Sequence, residues 1–270
     1  MRVIDVHTHV YPDKIAGKAA AAIGEFYGVE MKHDGTVGSL LASGVRSGVS
    51  VHVIHSVATI PAQVVSINNF IAQTKAEHSG AFIGFATLHP DMEDPAAEVE
   101  RVIGLGFKGV KLHPDFQQFN IDDPRCDHLY AAVAGRLPLL FHTGDSRHNY
   151  SAPRRIPGLL DRFPALDVIC AHFGGYTEWD EAKRCLGGRR VWVDTSSSLA
   201  FIGVKKALEL IDFFGEDRVL FGSDYPMWDA GDELAMLSKA GLNETVMRKI
   251  LYGNAARLLG ADDVNNDDNV

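Results

Sequence analysis

The stretch Val3-Ile4-Asp5-Val6-His7-Thr8-His9, near the start of the chain, combines strand-forming apolar residues with two histidines one residue apart. Side chains on a β-strand alternate between its two faces, so this pattern predicts that Asp5, His7 and His9 share one face. The apolar residues and Thr8 are then predicted to share the other. Two adjacent imidazoles are costly to bury without a ligand, and we therefore interpret His7 and His9 as ligands of one metal ion.

Seven further short apolar segments follow along the chain, and each leads into a stretch with helical periodicity. The predicted strands cover residues 3–9, 50–57, 81–88, 107–112, 137–141, 166–171, 190–194 and 218–221. The predicted helices cover residues 14–27, 36–47, 61–77, 95–106, 124–135, 153–163, 177–186, 203–214, 232–240, 244–251 and 255–259. Nearly continuous apolar strands indicate burial on both faces, as in a parallel sheet.

Eight such strand–helix units in 270 residues predict a single-domain α/β protein with the (β/α)8 TIM-barrel fold over residues 1–260. An open, doubly wound sheet is the alternative, but no glycine-rich phosphate loop follows the first strand. Residues 261–270 are rich in Asp and Asn and are predicted to form a polar C-terminal tail.

Composition limits the classes of function. The net charge of −9 argues against nucleic acid and anionic membrane surfaces as partners, so we expect a small-molecule substrate. The three cysteines show no paired spacing, which favours reduced thiols and a cytoplasmic location. We expect neither a signal peptide nor a membrane-spanning segment. A homodimer is expected only by analogy with other barrels.

Polar side chains gather at the ends of the predicted strands. The strand-end residues are His9, His89, His113, His142, His172 and Asp224. In a barrel, the C-terminal ends of the strands form one rim, and that rim carries the active site. His142 is predicted as a third metal ligand, and Asp224 as a carboxylate ligand that also accepts a proton. Three imidazoles and one carboxylate suit one divalent ion, most of all Zn²⁺ and also Mn²⁺ or Fe²⁺.

Other rim residues leave alternatives open. His172 is interpreted as an acid–base or electrostatic catalyst beside the ion, or else as a ligand of a second ion. Lys111 and His113 share a strand face by alternation. Lys111 then contacts a substrate anion, pairs with Asp5, or carries a carbamate that bridges two ions. His113 is predicted as a substrate contact.

Weaker signals lie nearby. Arg147, Arg154 and Arg155 follow His142 in one predicted loop, and Arg147 is our candidate for binding a substrate carboxylate, with a solvated loop as the alternative. For His89, hydrogen bonding to loop backbone is favoured over a functional role. A serine hydrolase is a poor fit, because the chain contains no Gly-x-Ser-x-Gly motif.

Taken in order, the strand-end motifs resemble the amidohydrolase superfamily, and within it the amidohydrolase-related branch that contains aminocarboxymuconate-semialdehyde decarboxylase. The matching motifs are Asp5-Val6-His7-Thr8-His9, Lys111-Leu112-His113-Pro114, Phe141-His142-Thr143-Gly144, Ala171-His172-Phe173-Gly174-Gly175, Gly222-Ser223-Asp224-Tyr225-Pro226 and Gly253-Asn254-Ala255-Ala256-Arg257-Leu258-Leu259. The first five of these motifs, in order and with barrel spacing, are a far more specific signal than any one of them alone.

The resemblance implies a metal-dependent barrel enzyme. The positions that match the family's metal ligands are His7, His9, His142 and Asp224. His172 matches a histidine that lies beside the metal and assists catalysis in the mononuclear branch. Lys111 lies on the strand where binuclear relatives carry a carbamylated lysine. We predict a hydrolase that activates water at the metal against an amide, ester or lactone of a small carboxylated or cyclic substrate. The alternative is a non-oxidative decarboxylase of an aromatic or dienoic acid.

Overall fold

The protein is described by a computed structural model that covers residues 1–261. Eight parallel strands form one sheet in which each strand neighbours the next along the chain. The strands are β1 Ile4–His9, β2 Val51–His55, β3 Phe82–Thr87, β4 Gly109–Leu112, β5 Leu139–Phe141, β6 Val168–Cys170, β7 Val191–Asp194 and β8 Val219–Leu220. Each of these eight observed strands lies within a predicted one and is shorter than it.

Backbone hydrogen bonds between the first strand and the last segment close the sheet into a barrel. The amide of Val6 donates to the carbonyl of Phe221 at 2.9 Å, and the amide of His9 donates to the carbonyl of Tyr225 at 2.7 Å. The predicted (β/α)8 TIM-barrel fold is therefore confirmed. Closure satisfies the backbone groups that an edge strand would leave unpaired.

Helices alternate with the strands around the outside. They are α1 Asp13–Tyr27, α2 Val37–Ser47, α3 Val64–Glu77, α4 Pro95–Gly104, α5 Pro114–Gln117, α6 Asp127–Val133, α7 Ile156–Arg162, α8 Trp179–Leu186, α9 Leu199–Phe214, α10 Ala230–Ser238, α11 Glu244–Arg248 and α12 Asn254–Leu259. Side chains cap several N-termini: Thr36 accepts from the amide of Ser39 in α2, and Asp94 accepts from that of Ala97 in α4.

The observed helices differ from the predicted ones mainly at their first turns. The predicted helices 61–77 and 153–163 begin as 3₁₀ turns, Pro61–Gln63 and Pro153–Arg155, before the α-helix starts. Helix α9 begins at Leu199 rather than at residue 203, and it is kinked at Gly203, whose φ is 66°. The short helix α5 and a 3₁₀ turn at His172–Gly174 were not predicted, because four or fewer residues show no periodicity.

Two apolar layers surround the strands. Outward-facing strand residues pack against the helices, while inward-facing ones such as Val53, Phe85, Leu140 and Ile169 fill the barrel. Helix α12 covers the N-terminal end of the barrel with apolar side chains, including Leu259. The lower barrel is thus a packed core, and polar side chains are confined to the opposite end.

Strand β1 departs from simple alternation. Its register with β2 shifts between Asp5 and Thr8, so the strand contains one extra residue there. Ile4 and Val6 belong to the barrel interior, and His7 also faces inward, beyond this shift. The prediction that Asp5 shares a face with His7 is therefore wrong.

Asp5 is instead held by the last segment of the barrel. Its carboxylate accepts hydrogen bonds from the Ser223 amide at 2.9 Å and the Ser223 hydroxyl at 2.5 Å. Burial raises the pKa of Asp5 to about 7. Among the described residues, Lys111 forms no ion pair with Asp5, which removes one of the three roles considered for that lysine.

Three other expectations concern the cysteines, membrane-spanning segments and the C-terminal tail. Cys126, Cys170 and Cys185 are all free thiols. Within residues 1–261, no helix is both long and apolar enough to cross a membrane. Ala261 is buried and donates its amide to the carbonyl of Ala256. The rest of the predicted tail, residues 262–270, lies outside the described part of the chain.

Gly109 is required where strands β3 and β4 meet inside the barrel. A Cβ atom at this position would lie 2.6 Å from the Phe85 Cε1 and Cε2 atoms. We expect Gly109→Ala to lower the free energy of unfolding by about 1–3 kcal/mol through overpacking. Denaturant unfolding measures this change.

Gly38→Ala is the matched control, because a Cβ there meets nothing within 4 Å. Gly38 lies inside α2, so the control is expected to be neutral or stabilising by up to about 1 kcal/mol. Equal stability of Gly109→Ala and the wild type would contradict the close packing of Phe85.

Candidate metal centre

A small cavity lies at the C-terminal ends of the strands. Its volume is about 20 Å³, room for one water-sized atom or ion. All four predicted metal ligands line it: His7, His9, His142 and Asp224. Helix α1 and two methionines, Met31 and Met227, close the cavity from above. The sequence therefore placed the four residues in one pocket correctly, although their role as ligands stays a prediction.

The atoms on one side of the cavity are close enough to share an ion. His7 Nε2 lies 3.3 Å from His9 Nε2. Asp224 Oδ1 lies 3.4 Å from His7 Nε2 and 3.5 Å from His9 Nε2. Metal–ligand bonds of about 2.0–2.2 Å allow three donor atoms at such separations to bind one ion. His142 contributes from the facing wall.

Hydrogen bonds behind the cavity set the tautomers of two of these imidazoles. His7 Nδ1 lies 3.0 Å from Asp194 Oδ2, so the ring donates there and leaves a lone pair on Nε2. His172 Nδ1 donates to the Ser196 carbonyl at 3.0 Å, so its Nε2 accepts from His142 Nδ1 at 3.0 Å. The Nε2 of His142 then also carries a lone pair. This donor set suits a divalent cation.

Burial keeps the imidazoles in the form that binds metals. It lowers the pKa of His7, His9 and His142 well below the usual value, and neighbouring positive charges lower it further. Burial likewise lowers the pKa of His172 to about 4. For Asp224, burial raises the pKa to about 6, against the hydrogen bond from Ser197 and the charge of Lys111. The rings are neutral at pH 7, as ligands must be.

Asp194, at the end of β7, is a site residue that sequence reasoning missed. It holds His7 through one carboxylate oxygen, and its other oxygen accepts the His172 amide at 3.0 Å. The Ser196 hydroxyl also donates to this carboxylate. Asp194 therefore positions residues from two strands. Its position at the end of a predicted strand could have identified it. The polar residues that follow, Thr195-Ser196-Ser197-Ser198, made it look like part of a loop.

His55, at the end of β2, was also given no role. Its ring lies edge-on to His9, with centroids 4.4 Å apart, and 5.3 Å from the His7 ring. His52, on the same strand, lies on the other face beneath Gly44 of α2. The two histidines therefore lie on opposite faces of β2, as alternation along a strand requires for residues three positions apart.

Lys111 is fully buried in the barrel beneath the cavity. Its ammonium group donates to His7 Nε2 at 2.9 Å. Burial lowers the pKa of Lys111 to about 8, while the carboxylates of Asp224 and Asp194 act in the opposite direction. A positive charge thus lies directly under the predicted ligands.

Tyr27, the last residue of α1, plugs the mouth of the cavity. His113 Nδ1 accepts from the Phe116 amide, so its Nε2 donates to the Tyr27 hydroxyl at 2.9 Å. The same hydroxyl lies 3.5 Å from His142 Nε2. The predicted substrate contact His113 therefore lines the cavity, and its present partner is Tyr27. No motif pointed to this tyrosine, which comes from a helix outside the barrel.

The remaining candidates lie outside the cavity. Arg147 is bound to the Asp145 carboxylate through Nε and Nη2, and its guanidinium stacks over Phe26 and Tyr27. It packs behind the plug rather than lining the cavity. His89 Nδ1 accepts from the Asp91 amide, which is the structural role favoured from the sequence.

The backbone adopts unusual conformations at two site residues. His172 and Asp224 have φ values of 61° and 66°, in the left-handed region that non-glycine residues seldom occupy. At the neighbouring Gly222, a Cβ atom would lie 3.0 Å from the His7 Cβ. Close approach of the last strand to β1 brings Asp224 against His7 and His9.

A closed (β/α)8 barrel whose C-terminal rim gathers imidazoles, carboxylates and a buried lysine around one cavity has the construction of a barrel enzyme. The chain belongs to the amidohydrolase family, whose model matches residues 4–261.

Two relatives of this chain are named as decarboxylases. The chain is 26% identical to γ-resorcylate decarboxylase of Polaromonas sp. over 248 residues, covering 71% of this chain and 74% of that protein. It is 25% identical to 2-amino-3-carboxymuconate-6-semialdehyde decarboxylase of Dictyostelium discoideum over 243 residues, covering 73% of this chain and 66% of that one.

The fold is shared with solved structures of similar size. A crystal structure of dihydroxybenzoic acid decarboxylase from Polaromonas sp., containing manganese and the inhibitor 2-nitroresorcinol, superposes with a TM-score of 0.74 at 17% identity. The superposition covers 96% of each chain. At this identity the match shows a common fold only.

Asp194→Asn tests the positioning of His7. We expect the variant to fold and to bind Mn²⁺ or Zn²⁺ about 10- to 100-fold more weakly, because the partner that orients His7 is lost. Metal titration with a competing chelator measures the affinity. Asp180→Asn, which changes an exposed carboxylate of α8, serves as the control. Unchanged affinity in Asp194→Asn would show that His7 needs no such partner.

Proposed function

We propose that this protein is a metal-dependent, non-oxidative decarboxylase of an aromatic or dienoic carboxylic acid. The observation that carries the proposal is a small cavity lined by four imidazoles and a carboxylate above the buried ammonium group of Lys111. Such a site can hold a cation and a substrate anion together. Two relatives in the family are decarboxylases of carboxylated substrates, which favours this reaction over hydrolysis.

One divalent ion is part of the proposal. The residues that would hold it are His7, His9, His142 and Asp224. His7 and His142 would each offer the lone pair on Nε2, and Asp224 would offer a carboxylate oxygen. When bound, the ion would polarise a substrate oxygen and offset its negative charge. Zn²⁺ suits the donor set, and manganese, present in the Polaromonas structure, suits it as well.

The residues beside the ion would manage one proton. In decarboxylation, the bond between the ring carbon and the carboxylate breaks, its electron pair stays on the carbon, and a proton replaces the departing CO₂. Asp224, whose carboxylate lies beside His7 and His9 in the cavity, is proposed to carry that proton. His172 is proposed as the acid–base or electrostatic group beside the ion, and its Nε2 accepts a hydrogen bond from His142 Nδ1.

Lys111 is proposed to contact the substrate anion. Its hydrogen bond to His7 Nε2 uses the lone pair that metal binding would need. When His7 binds an ion, the ammonium group must find another acceptor, and a carboxylate or phenolate oxygen of the substrate offers one. The carbamate alternative stays compatible with the position of Lys111 on β4.

The rest of the substrate needs more room than the cavity provides. An apolar groove of about 440 Å³ adjoins it between α1 and α3, and Ile23 and Phe116 line both spaces. Among the residues that the structure describes, none that lines this groove is charged. We propose that the ring or chain of the substrate enters from the groove and displaces the hydroxyl of Tyr27 from His113.

Hydrolysis, the main prediction from the sequence, would use the same cavity. The test must therefore distinguish hydrolysis from decarboxylation. The protein, loaded with Mn²⁺ or Zn²⁺, is incubated with hydroxylated benzoates, including γ-resorcylate, and with small lactones in ¹⁸O-labelled water. We expect one CO₂ per substrate consumed and no ¹⁸O in the ring product. Incorporation of ¹⁸O without release of CO₂ would establish a hydrolase instead.

Asp224→Asn isolates the proton-carrying role. We expect kcat to fall by about 10²- to 10⁴-fold because the amide cannot take up and return a proton. Stability should change little, since Asn can still accept the hydrogen bond that Ser197 donates to Asp224. Steady-state kinetics with metal content measured on the same samples separates lost chemistry from lost metal. Full activity with bound metal would remove Asp224 from the mechanism.

A further inference from the structure

We infer that His55, at the end of β2, is an additional ligand of the metal ion held by His7 and His9. The inference rests on the proposed metal centre and extends it to a strand that contributes none of the four predicted ligands. In parallel register, His55 lies directly beside His9. Both residues end their strands and face the barrel interior.

The ring of His55 is buried with no protein partner. Its side chain is fully enclosed, and neither Nδ1 nor Nε2 has a hydrogen-bond partner among the described residues. A neutral imidazole carries one N–H donor and one lone pair, and burying both unpaired is costly. The other site histidines differ: His7, His142 and His172 all use their ring nitrogens in hydrogen bonds. A ligand that pairs with His55 would remove this cost.

The neighbours of His55 identify the ligand as a cation. One ligand atom each from His7, His9 and His55 lies within 4.8 Å of the others, so three ring nitrogens lie close enough to bind one ion. A neutral imidazole carries one lone pair, and His55 has no hydrogen-bond partner among the described residues that would occupy it. Nitrogen ligands of this kind suit Zn²⁺, Co²⁺ and Mn²⁺.

His142 lies on the opposite wall of the cavity from His9 and His55. His142 is tied to His172 through Nδ1 and faces Tyr27 through Nε2. With His55 beside His9, the ion would be bound from the β1–β2 side, together with Asp224. His142 would complete the site from the facing wall, and its hydrogen bond to His172 would stay intact.

The test uses Co²⁺ as a probe, because its visible absorption reports the number and geometry of its ligands. Metal-free protein is titrated with Co²⁺ against a chelator of known affinity. We expect His55→Gln to weaken Co²⁺ binding at least tenfold and to change the absorption spectrum. His52→Gln is the matched control: it changes a buried histidine of the same strand that faces α2, and it should leave both readouts unchanged.

A second variant separates a ligand from a packing residue. His55→Leu removes the two unpaired nitrogens, so the metal-free protein should become more resistant to denaturant, while its stabilisation by added Co²⁺ should shrink. A residue that only packs the core would not lower metal stabilisation. If His55→Gln and His55→Leu bind Co²⁺ like the wild type while His7→Ala loses it, the inference is overturned and the metal centre stands. If the wild type itself does not bind Co²⁺, both fail.

Discussion

The burial of several basic side chains in one apolar barrel is the constraint on which the site depends. Burying a charged imidazole there would cost much free energy, so the rings are neutral. Each neutral ring then needs one partner for its N–H group and another for its lone pair. Asp194 and the carbonyl of Ser196 take the N–H groups of His7 and His172. The lone pairs of His7 and His142 are thereby turned toward one small space, which is the arrangement a cation requires.

Much of this followed from the sequence because barrel geometry is regular. Once eight apolar strands were recognised, residues at their C-terminal ends had to converge, and His142 and Asp224 do line one cavity with His7 and His9. Reasoning by strand end uses only position along the chain. It is insensitive to errors of one or two residues in where a strand begins.

Reasoning by strand face was less reliable, because a single extra residue inverts it. The register shift in β1 moved Asp5 to the outer side, although strict alternation predicts it beside His7. Long-range contacts were out of reach for a different reason. Tyr27 comes from a helix whose position over the barrel depends on loop conformation, and nothing in its local sequence marks it. Asp194 and His55 were within reach by position, but neither stands in a recognisable motif.

The apolar packing of the lower barrel determines the order in which substrate enters and products leave. Within residues 1–261, helix α12 and the inward side chains of the strands pack the N-terminal end of the barrel, so substrate and products reach the cavity from the side where Tyr27 lies. In the proposed reaction, substrate, CO₂ and the larger product all share that route. The larger product must leave before the next substrate enters, and it therefore competes with substrate for the same form of the enzyme. For a protein built this way, inhibition by accumulated product follows from the architecture of the barrel itself.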